Sequence, residues 1–443
     1  MGRRFLAAGL GAALISGLLA LVGPAPSASA AAPTPTPAKR GYPSTIAVIG
    51  DSISTATGTG ELGDEVKHNS WVTGDELWSM RGVLGIQHAN AFNVASNGRR
   101  MTHMDDMAAT LPTNTQYVVV ELGGNDLCRP SVGEMTSTTD YRNQFRAGLA
   151  AIRARVPNAL IFVAGVPDIY NLWYLRGAPS SVNPHVADET GQEGQARLYW
   201  DNPLVDIIPC QSLLENPTST SAADENRRQQ VRARNQAFNA ILQQECDAVL
   251  RCRHDGNHFF NFSSNRNPAP NGPYRPRNQW QFTDRDISHN RGNGEWLCPV
   301  AFTRDDCGDH FHPSIFGQQK LAQAGIVAGY QFAADGTMPT VALSPDRAPD
   351  GGGRYAGPVT VTINGSDDVG VRGYEVRVHQ NGSVTPWAEH VGSAPPVTVT
   401  TSGQSYVEAR ALDVNGNLGA SQILGVNVDP TAFGVVAGTV THR

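Results

Sequence analysis

Ser52 follows the apolar run Ile46-Ala47-Val48-Ile49 by way of Gly50 and Asp51. Such a run makes a short buried strand, and a hydroxyl at the C-terminal tip of a parallel strand sits at the usual ligand crevice of an open α/β sheet. A serine becomes a nucleophile when a base takes its proton. An imidazole base in turn needs a carboxylate to fix its tautomer and stabilise the imidazolium. Asp309 and His312, three apart on a turn that enters a helix, supply both from one loop. Developing negative charge needs fixed donors, and three are available at strand tips: the Asn125 side-chain amide and the backbone N–H groups of Gly98 and Ser52. Singly, each of these is ordinary. Gly-Asp-Ser is a common turn, Asp-x-x-His is more often a helix cap beside a surface histidine, and Gly98 or Gly123-Gly124 satisfies turn geometry without chemistry. Together they describe attack of an alcohol on a carbonyl.

Positioning them requires strands alternating with helices. Tyr117–Leu122 is the clearest strand and ends in Gly123-Gly124-Asn125-Asp126; Ala91–Ala95 and Leu160–Val166 are two more. The loop Ser54–Gly63, rich in Thr and Gly, is expected to be mobile. Helices are expected over Trp71–Val83, with Trp71, Leu77, Trp78 and Val83 inward, and over Met101–Leu111. A further helix is capped by Asp140, with Tyr141, Phe145, Leu149, Ile152 and Val156 on one face. Asp224–Leu250 and Ser314–Phe332 complete the set, while residues 167–222 and 253–310 read as irregular. The pace of alternation implies an α/β fold with a mostly parallel sheet covered on both faces. After Asp335 the pattern changes to short alternating strands such as Val359–Ile363, Tyr374–Val378, Val397–Thr400 and Tyr406–Ala411, separated by Asn-Gly turns: a small all-β sandwich.

The length of 443 residues calls for two or more domains. Residues 1–30 have the layout of a secretory signal: Arg3-Arg4, an apolar run to Val22, then Ser27-Ala28-Ser29-Ala30. Residues 31–42 form a Pro/Thr linker, 43–335 the α/β domain, 336–430 the sandwich and 431–443 a tail. Export suits the six cysteines, Cys128, Cys210, Cys246, Cys252, Cys298 and Cys307, as disulfides. Six allow 15 pairings; Cys246–Cys252 and Cys298–Cys307 are expected as local loops, leaving Cys128–Cys210. There is no CxxC pair, and His254, His258, His289 and His310 fit no standard ligand spacing, so no metal is expected and these histidines read as polar loop residues. A net charge of −6 without a basic block disfavours a nucleic-acid partner, and no apolar run after the leader is long enough to span a bilayer. In the sandwich, Trp387 and Tyr406 are possible sugar platforms, though core aromatics are commoner.

The order Gly50-Asp51-Ser52, Gly98, Gly123-Gly124-Asn125-Asp126 and Asp309-x-x-His312 resembles the SGNH (GDSL-type) esterase and lipase family over roughly Thr45–Ala334. Gly124-Asn125-Asp126-Leu127-Cys128, Gly165-Val166-Pro167-Asp168 and Phe311-His312-Pro313-Ser314 are similar to its secreted actinobacterial branch. The resemblance implies a three-layer α/β/α sandwich, Ser52 as nucleophile, His312 as base and Asp309 as its orienter. Ser52 N–H, Gly98 N–H and the Asn125 amide become the oxyanion hole, with no metal or cofactor taking part. Ile53 stands where the common pattern has Leu. A second Asp-x-x-His, Asp286 to His289, is a rival for the base. The sandwich is similar to bacterial Ig-like modules through Ala411–Asn417. The expected activity is that of an extracellular serine esterase or lipase acting on lipid or acyl-glycerol esters. The alternatives are a polysaccharide acetylesterase, or a wall- or glycan-binding protein on a hydrolase scaffold.

Overall fold

The computed structural model describes residues 32–59, 65–183, 210–263, 282, 286–288 and 310–431. Five strands pair in parallel: β1 (Ile46–Gly50), β2 (Ala91–Asn93), β3 (Tyr117–Glu121), β4 (Leu160–Val163) and β5 (Cys252–His254). Their order is β2-β1-β3-β4-β5. β1, β3 and β4 are buried at every position, as parallel strands must be when helices cover both faces. The order reverses direction between β1 and β3, so the loops after these two strands diverge and leave a crevice beyond their carboxyl ends. The register pairs Gly50 with Glu121, which sets the residues after β1 beside those after β3.

The helices that matter here are α1 (Met104–Ala109), α2 (Gly124–Leu127), α3 (Thr138–Arg155), α4 (Ala222–Asp247) and α5 (Ile315–Ala328). Tyr141, Phe145, Leu149 and Ile152 recur at helical spacing and are all buried, and the Tyr141 ring stacks on Phe238 of α4 at 3.7 Å. Elsewhere in the core Trp71 meets Phe259 at 5.3 Å and closes on Gly325 of α5. The result is the three-layer α/β/α arrangement. The α3 cap is Ser137 rather than Asp140: the Ser137 hydroxyl accepts the Asp140 N–H at 3.0 Å.

Four expectations need correction. Residues 71–79 are turns, and only Met80–Val83 is helical, because Gly74, Asp75 and Glu76 direct their N–H groups to Ser70 and His68 carbonyls. Trp71 and Leu77 are buried, but Trp78 is 75% and Val83 43% exposed. Residues 54–57 are packed, since Thr55 and Thr57 both donate to Asn97 Oδ1, at 2.7 and 2.8 Å. Arg253 and His254, which open the stretch read as irregular, form with Cys252 the fifth strand. Trp173 and Tyr174, in the other irregular stretch, are core residues. Trp200 lies outside the described residues.

The second unit is all β. Strands β6 (Thr340–Pro345), β8 (Val359–Ser366) and β12 (Val397–Val399) form one sheet. β7 (Arg354–Tyr355), β9 (Val371–Gln380), β10 (Ser383–Val384), β11 (Ala388–Val391), β13 (Gly403–Asp413) and β14 (Gln422–Val428) form the other. Pairing is antiparallel except between β14 and β7, and Val359, Val361, Val399, Val407 and Val426 fill the space between. The two units meet through Leu250, Leu412 and Leu418, which are buried together, and through Arg251, which pairs with Glu375 at 2.7 Å and Glu389 at 2.8 Å. Residues 32–41 are extended and lie on the sandwich, with Lys39 bridging to Leu418 and Thr36 Oγ1 donating to Glu408. Disulfides join Cys128 to Cys210 and Cys246 to Cys252; Cys298 and Cys307 lie outside the described residues. Among the described residues no helix is long and apolar enough to cross a membrane.

Candidate active site

Ser52 sits on the turn that leaves β1. Gly50 is required there by close approach: a Cβ would lie 2.4 Å from Ser54 Oγ and 3.0 Å from the Glu121 carbonyl oxygen. The turn is closed by Ser54 N–H and Thr55 N–H on the Asp51 carbonyl and by Thr57 N–H on the Ser52 carbonyl. Ile53 N–H donates to Asp51 Oδ1 at 3.0 Å. Behind the turn, Gln318 of α5, fully buried, donates to the Ile53 carbonyl at 2.9 Å and accepts Trp71 N–H at 3.0 Å. In the sequence Gln318 stands out only as part of the Gly317-Gln318 pair that follows Phe311-His312-Pro313-Ser314 in the family resemblance, without a role.

His312 reaches this turn from the far end of the domain. Its Nε2 lies 2.7 Å from Ser52 Oγ, across 260 residues of chain. The loop is fixed from both sides. Ser288 N–H donates to the His312 carbonyl, and Ser314 N–H to the Asp286 carbonyl, both at 2.8 Å. Ser314 then caps α5 by accepting Gly317 N–H at 3.2 Å. Gly317 tolerates no side chain, because a Cβ would stand 2.2 Å from the Asp286 carbonyl oxygen. Asp286 itself, the acid of the rival dyad, is buried and paired with Lys320 at 2.5 Å. Its place is beneath α5, holding the loop that carries His312. Asp309 and His289 lie outside the described residues.

Two of the three expected oxyanion donors have open N–H groups. Neither Ser52 N–H nor Gly98 N–H makes a hydrogen bond among the described residues, and Gly98 takes φ +72°, a conformation that suits glycine. The third is engaged. Asn125 Nδ2 donates to Asp51 Oδ2 at 3.1 Å and to the Arg99 carbonyl at 3.0 Å. In this structure the amide ties the β1 turn to the β2 and β3 loops, and it donates to an oxyanion only by releasing one of these bonds. Gly123, before it, has φ +137°, and a Cβ there would strike Val166 and the Tyr141 hydroxyl.

Carboxyl groups are dense here. Asp126 accepts Met101 N–H at 2.8 Å and Thr136 Oγ1 at 2.7 Å, anchoring the segment that follows Gly98. Burial raises its pKa against those bonds. Asp51, buried directly before Ser52, is pushed up to about 6 by burial, with the Ile53 N–H and the nearby His312 pulling the other way. Glu121 at the end of β3 is also fully buried and is raised well above the ordinary range, first by burial and then by the Asp51 charge. The sequence reading missed Glu121 as a site residue. A glutamate ending a run of valines looks like a strand leaving the core, yet it is 1% exposed.

Ser52, His312 and Asn125 open into a cavity walled largely by apolar side chains, among them Ile53, Ile169, Leu172, Leu175, Phe282 and Phe311. The other histidines are elsewhere. His254 is a buried residue of β5 rather than a loop residue, and burial lowers its pKa; His258 stacks near Phe262; His310 is fully buried with φ +58°. Carboxylates of Asp335, at the end of the first unit, and of Asp367 and Asp413 in the second approach within 4.8 Å of one another, apart from the Ser52 cavity. Trp387 lies under the guanidinium groups of Arg377 and Arg410, at 4.3 and 4.4 Å, so its ring is engaged by cations rather than presented as a bare platform.

A sequence profile of the GDSL-like lipase/acylhydrolase family matches residues 46–324. Among solved structures, an extracellular lipase from Streptomyces rimosus aligns at 15% identity and TM-score 0.35, covering 64% of this chain and 99% of the lipase. Phospholipase A1 from Streptomyces albidoflavus aligns at 14% identity and TM-score 0.34, covering 64% and 99%. A family two carbohydrate esterase from Clostridium thermocellum aligns at 24% identity and TM-score 0.23, covering 31% and 45%. No curated protein matches the chain.

Proposed function

This chain belongs to the GDSL-like lipase/acylhydrolase family, and from that premise we propose that it is a serine esterase working through a covalent acyl-enzyme. The observation that carries the proposal is the 2.7 Å contact between His312 Nε2 and Ser52 Oγ at the tips of a parallel sheet. In the proposed cycle Ser52 Oγ attacks the ester carbonyl carbon while His312 Nε2 takes its proton. The oxyanion of the tetrahedral intermediate accepts the Ser52 and Gly98 N–H groups, joined by Asn125 when its amide turns from Arg99 or Asp51. Collapse expels the alcohol, protonated by His312, and water repeats the sequence on the acyl-enzyme. Asp309, three residues before His312, is the proposed carboxylate for the imidazolium.

Lipid or acyl-glycerol esters are the preferred substrate class, because the cavity beside Ser52 is walled by aliphatic and aromatic side chains suited to an acyl chain. Acetylated polysaccharide is the second reading, favoured by the appended β unit. Residues 1–30 are proposed as an export signal, in keeping with the two disulfides. The test is a p-nitrophenyl ester series from acetate to palmitate on wild type and Ser52→Ala. Loss of about 10⁴-fold or more in kcat is expected for the variant, with the wild-type optimum at medium or long chains. Equal rates for the two proteins exclude the serine mechanism, and an optimum at acetate favours the sugar ester.

A further inference from the structure

The proposed cycle leaves one buried carboxyl group beside the nucleophile without a task. Glu121 ends β3 opposite Gly50, and one of its oxygens, Oε2, accepts the Ser54 hydroxyl at 2.9 Å. Its other oxygen, Oε1, is buried with no hydrogen bond among the described residues; the Asp51 backbone N–H and carboxyl both adjoin the group, the N–H favouring its ionised form and the carboxyl, more strongly, its protonated form. An ionised Glu121 in this position would set one oxygen beside a second carboxylate, with no cation paired to either. A protonated Glu121 removes the conflict, since Oε1–H then donates to Asp51 while Oε2 continues to accept from Ser54. Asp51 is thereby free to spend its remaining capacity on Ile53 N–H and the Asn125 amide.

We propose that Glu121 is a positioning residue for Ser52: its carboxyl group bridges Ser54 and Asp51 from below and sets the pose of the turn that presents the serine to His312. The inference deepens the serine-esterase reading and rests on it. Ser52 lies between the two residues that Glu121 engages. The same bridge reaches Asn125 through Asp51, so one buried acid registers the nucleophile and a donor loop against β3. The titratable groups facing it are Asp51 on the β1 turn and Tyr141 on α3, whose hydroxyl donates to the Leu122 carbonyl at 2.9 Å; His312 on the loop before α5 and Asp126 in α2 face Asp51 in turn. None of them is a cation except His312 when it carries the proton. When Glu121 loses its proton, two like charges share the buried site and the turn is pushed off its pose.

Glu121→Gln keeps one donor for Asp51 and one acceptor for Ser54 and does not ionise; Glu121→Ala keeps neither. The experiment measures kcat for p-nitrophenyl acetate from pH 5 to 10 on wild type, both Glu121 variants and Ser52→Ala, with thermal melts to establish folding. At pH 7, Glu121→Ala is expected to lose about 100-fold, the scale of a misplaced reacting group, and Glu121→Gln to stay within about threefold of wild type. The alkaline fall in wild-type kcat is expected to move upward in Glu121→Gln, a change that space-filling alone would not bring. The proposal is overturned if Glu121→Ala matches wild type, if Glu121→Gln is folded but no better than Glu121→Ala, or if wild type and Glu121→Gln have the same alkaline limb. Should Glu121→Ala not fold, the glutamine variant and its pH limb still decide. A wild type no faster than Ser52→Ala defeats the serine reading instead, and the two failures are told apart.

Discussion

Two buried glutamates, one in each unit, have opposite fates. Glu121 under the β1 turn is met by a hydroxyl and another carboxyl, and its pKa is driven up, first by burial. Glu408 in β13 is equally buried. Arg377 at 2.7 Å, His379 at 2.8 Å, Ser421 and Thr36 surround it, and they overcome burial to hold it down at about 2. Burial is common to both; the partner decides the charge state. The sandwich uses ion pairs, Arg251 and Arg410 on Glu375 being another case. The unit bearing Ser52 also pairs buried acids with cations, Asp168 with Arg232 and Asp286 with Lys320, but keeps cations away from the Asp51–Glu121 pair and adds the disulfides.

The sharpest way to probe that division is to remove each kind of staple. The Cys128–Cys210 bond spans 82 residues, and its loss through paired Cys→Ser changes is expected to cost about 4 kcal/mol, against about 2 kcal/mol for the short Cys246–Cys252 loop. Denaturant unfolding measures both. Cys128 follows Asn125 by one helical turn, so esterase activity is expected to fall with the first pair and not with the second. Equal costs would mean that chain closure is not how these bonds act.

Replacing Glu408 by Gln leaves Arg377 without its anion and is expected to cost about 3 kcal/mol at pH 7. The sign follows from linkage: a depressed acid contributes stability above its unfolded pKa, and that contribution fades as pH falls from about 4.5 toward 2. The deficit of Glu408→Gln therefore shrinks in acid. Glu121→Gln should behave in the opposite sense. A raised acid stabilises the fold fully below its unfolded pKa and loses that contribution as pH rises, so the glutamine variant gains on wild type above about pH 4.5. Melting temperatures from pH 3 to 8 give both curves. Parallel trends for the two variants would break the contrast.

How much of this was legible in the chain depended on whether the signal was local. The valine run of β3, the Tyr141-to-Ile152 face and the alternation of β8 and β13 were plain, because burial on one face imposes a period. The separation of Ser52 and His312 did not hide them, since each carries a distinctive neighbourhood. β5 was missed: Cys252-Arg253-His254 has no apolar run, and only its pairing with β4 makes it a strand. Residues 71–83 misled because Trp71, Leu77, Trp78 and Val83 mimic a helical face, while Gly74 and the His68 carbonyl turn the chain instead. The Thr-rich loop looked mobile because hydroxyls are invisible as glue until Asn97 is placed beside them. Glu121 and Gln318 were illegible as site residues for the same reason. Their roles exist only in contacts made across the sheet.

The central claim is that Ser52, activated by His312, is the atom that attacks. Intact-mass analysis after exposure to a fluorophosphonate tests it most directly, because the serine oxygen displaces fluoride from phosphorus and keeps the label. One adduct per chain, mapped to the peptide holding Ser52, absent from Ser52→Ala and strongly slowed in His312→Ala, is the expected result. Labelling at another residue, or at Ser52 with undiminished speed in His312→Ala, would contradict the account.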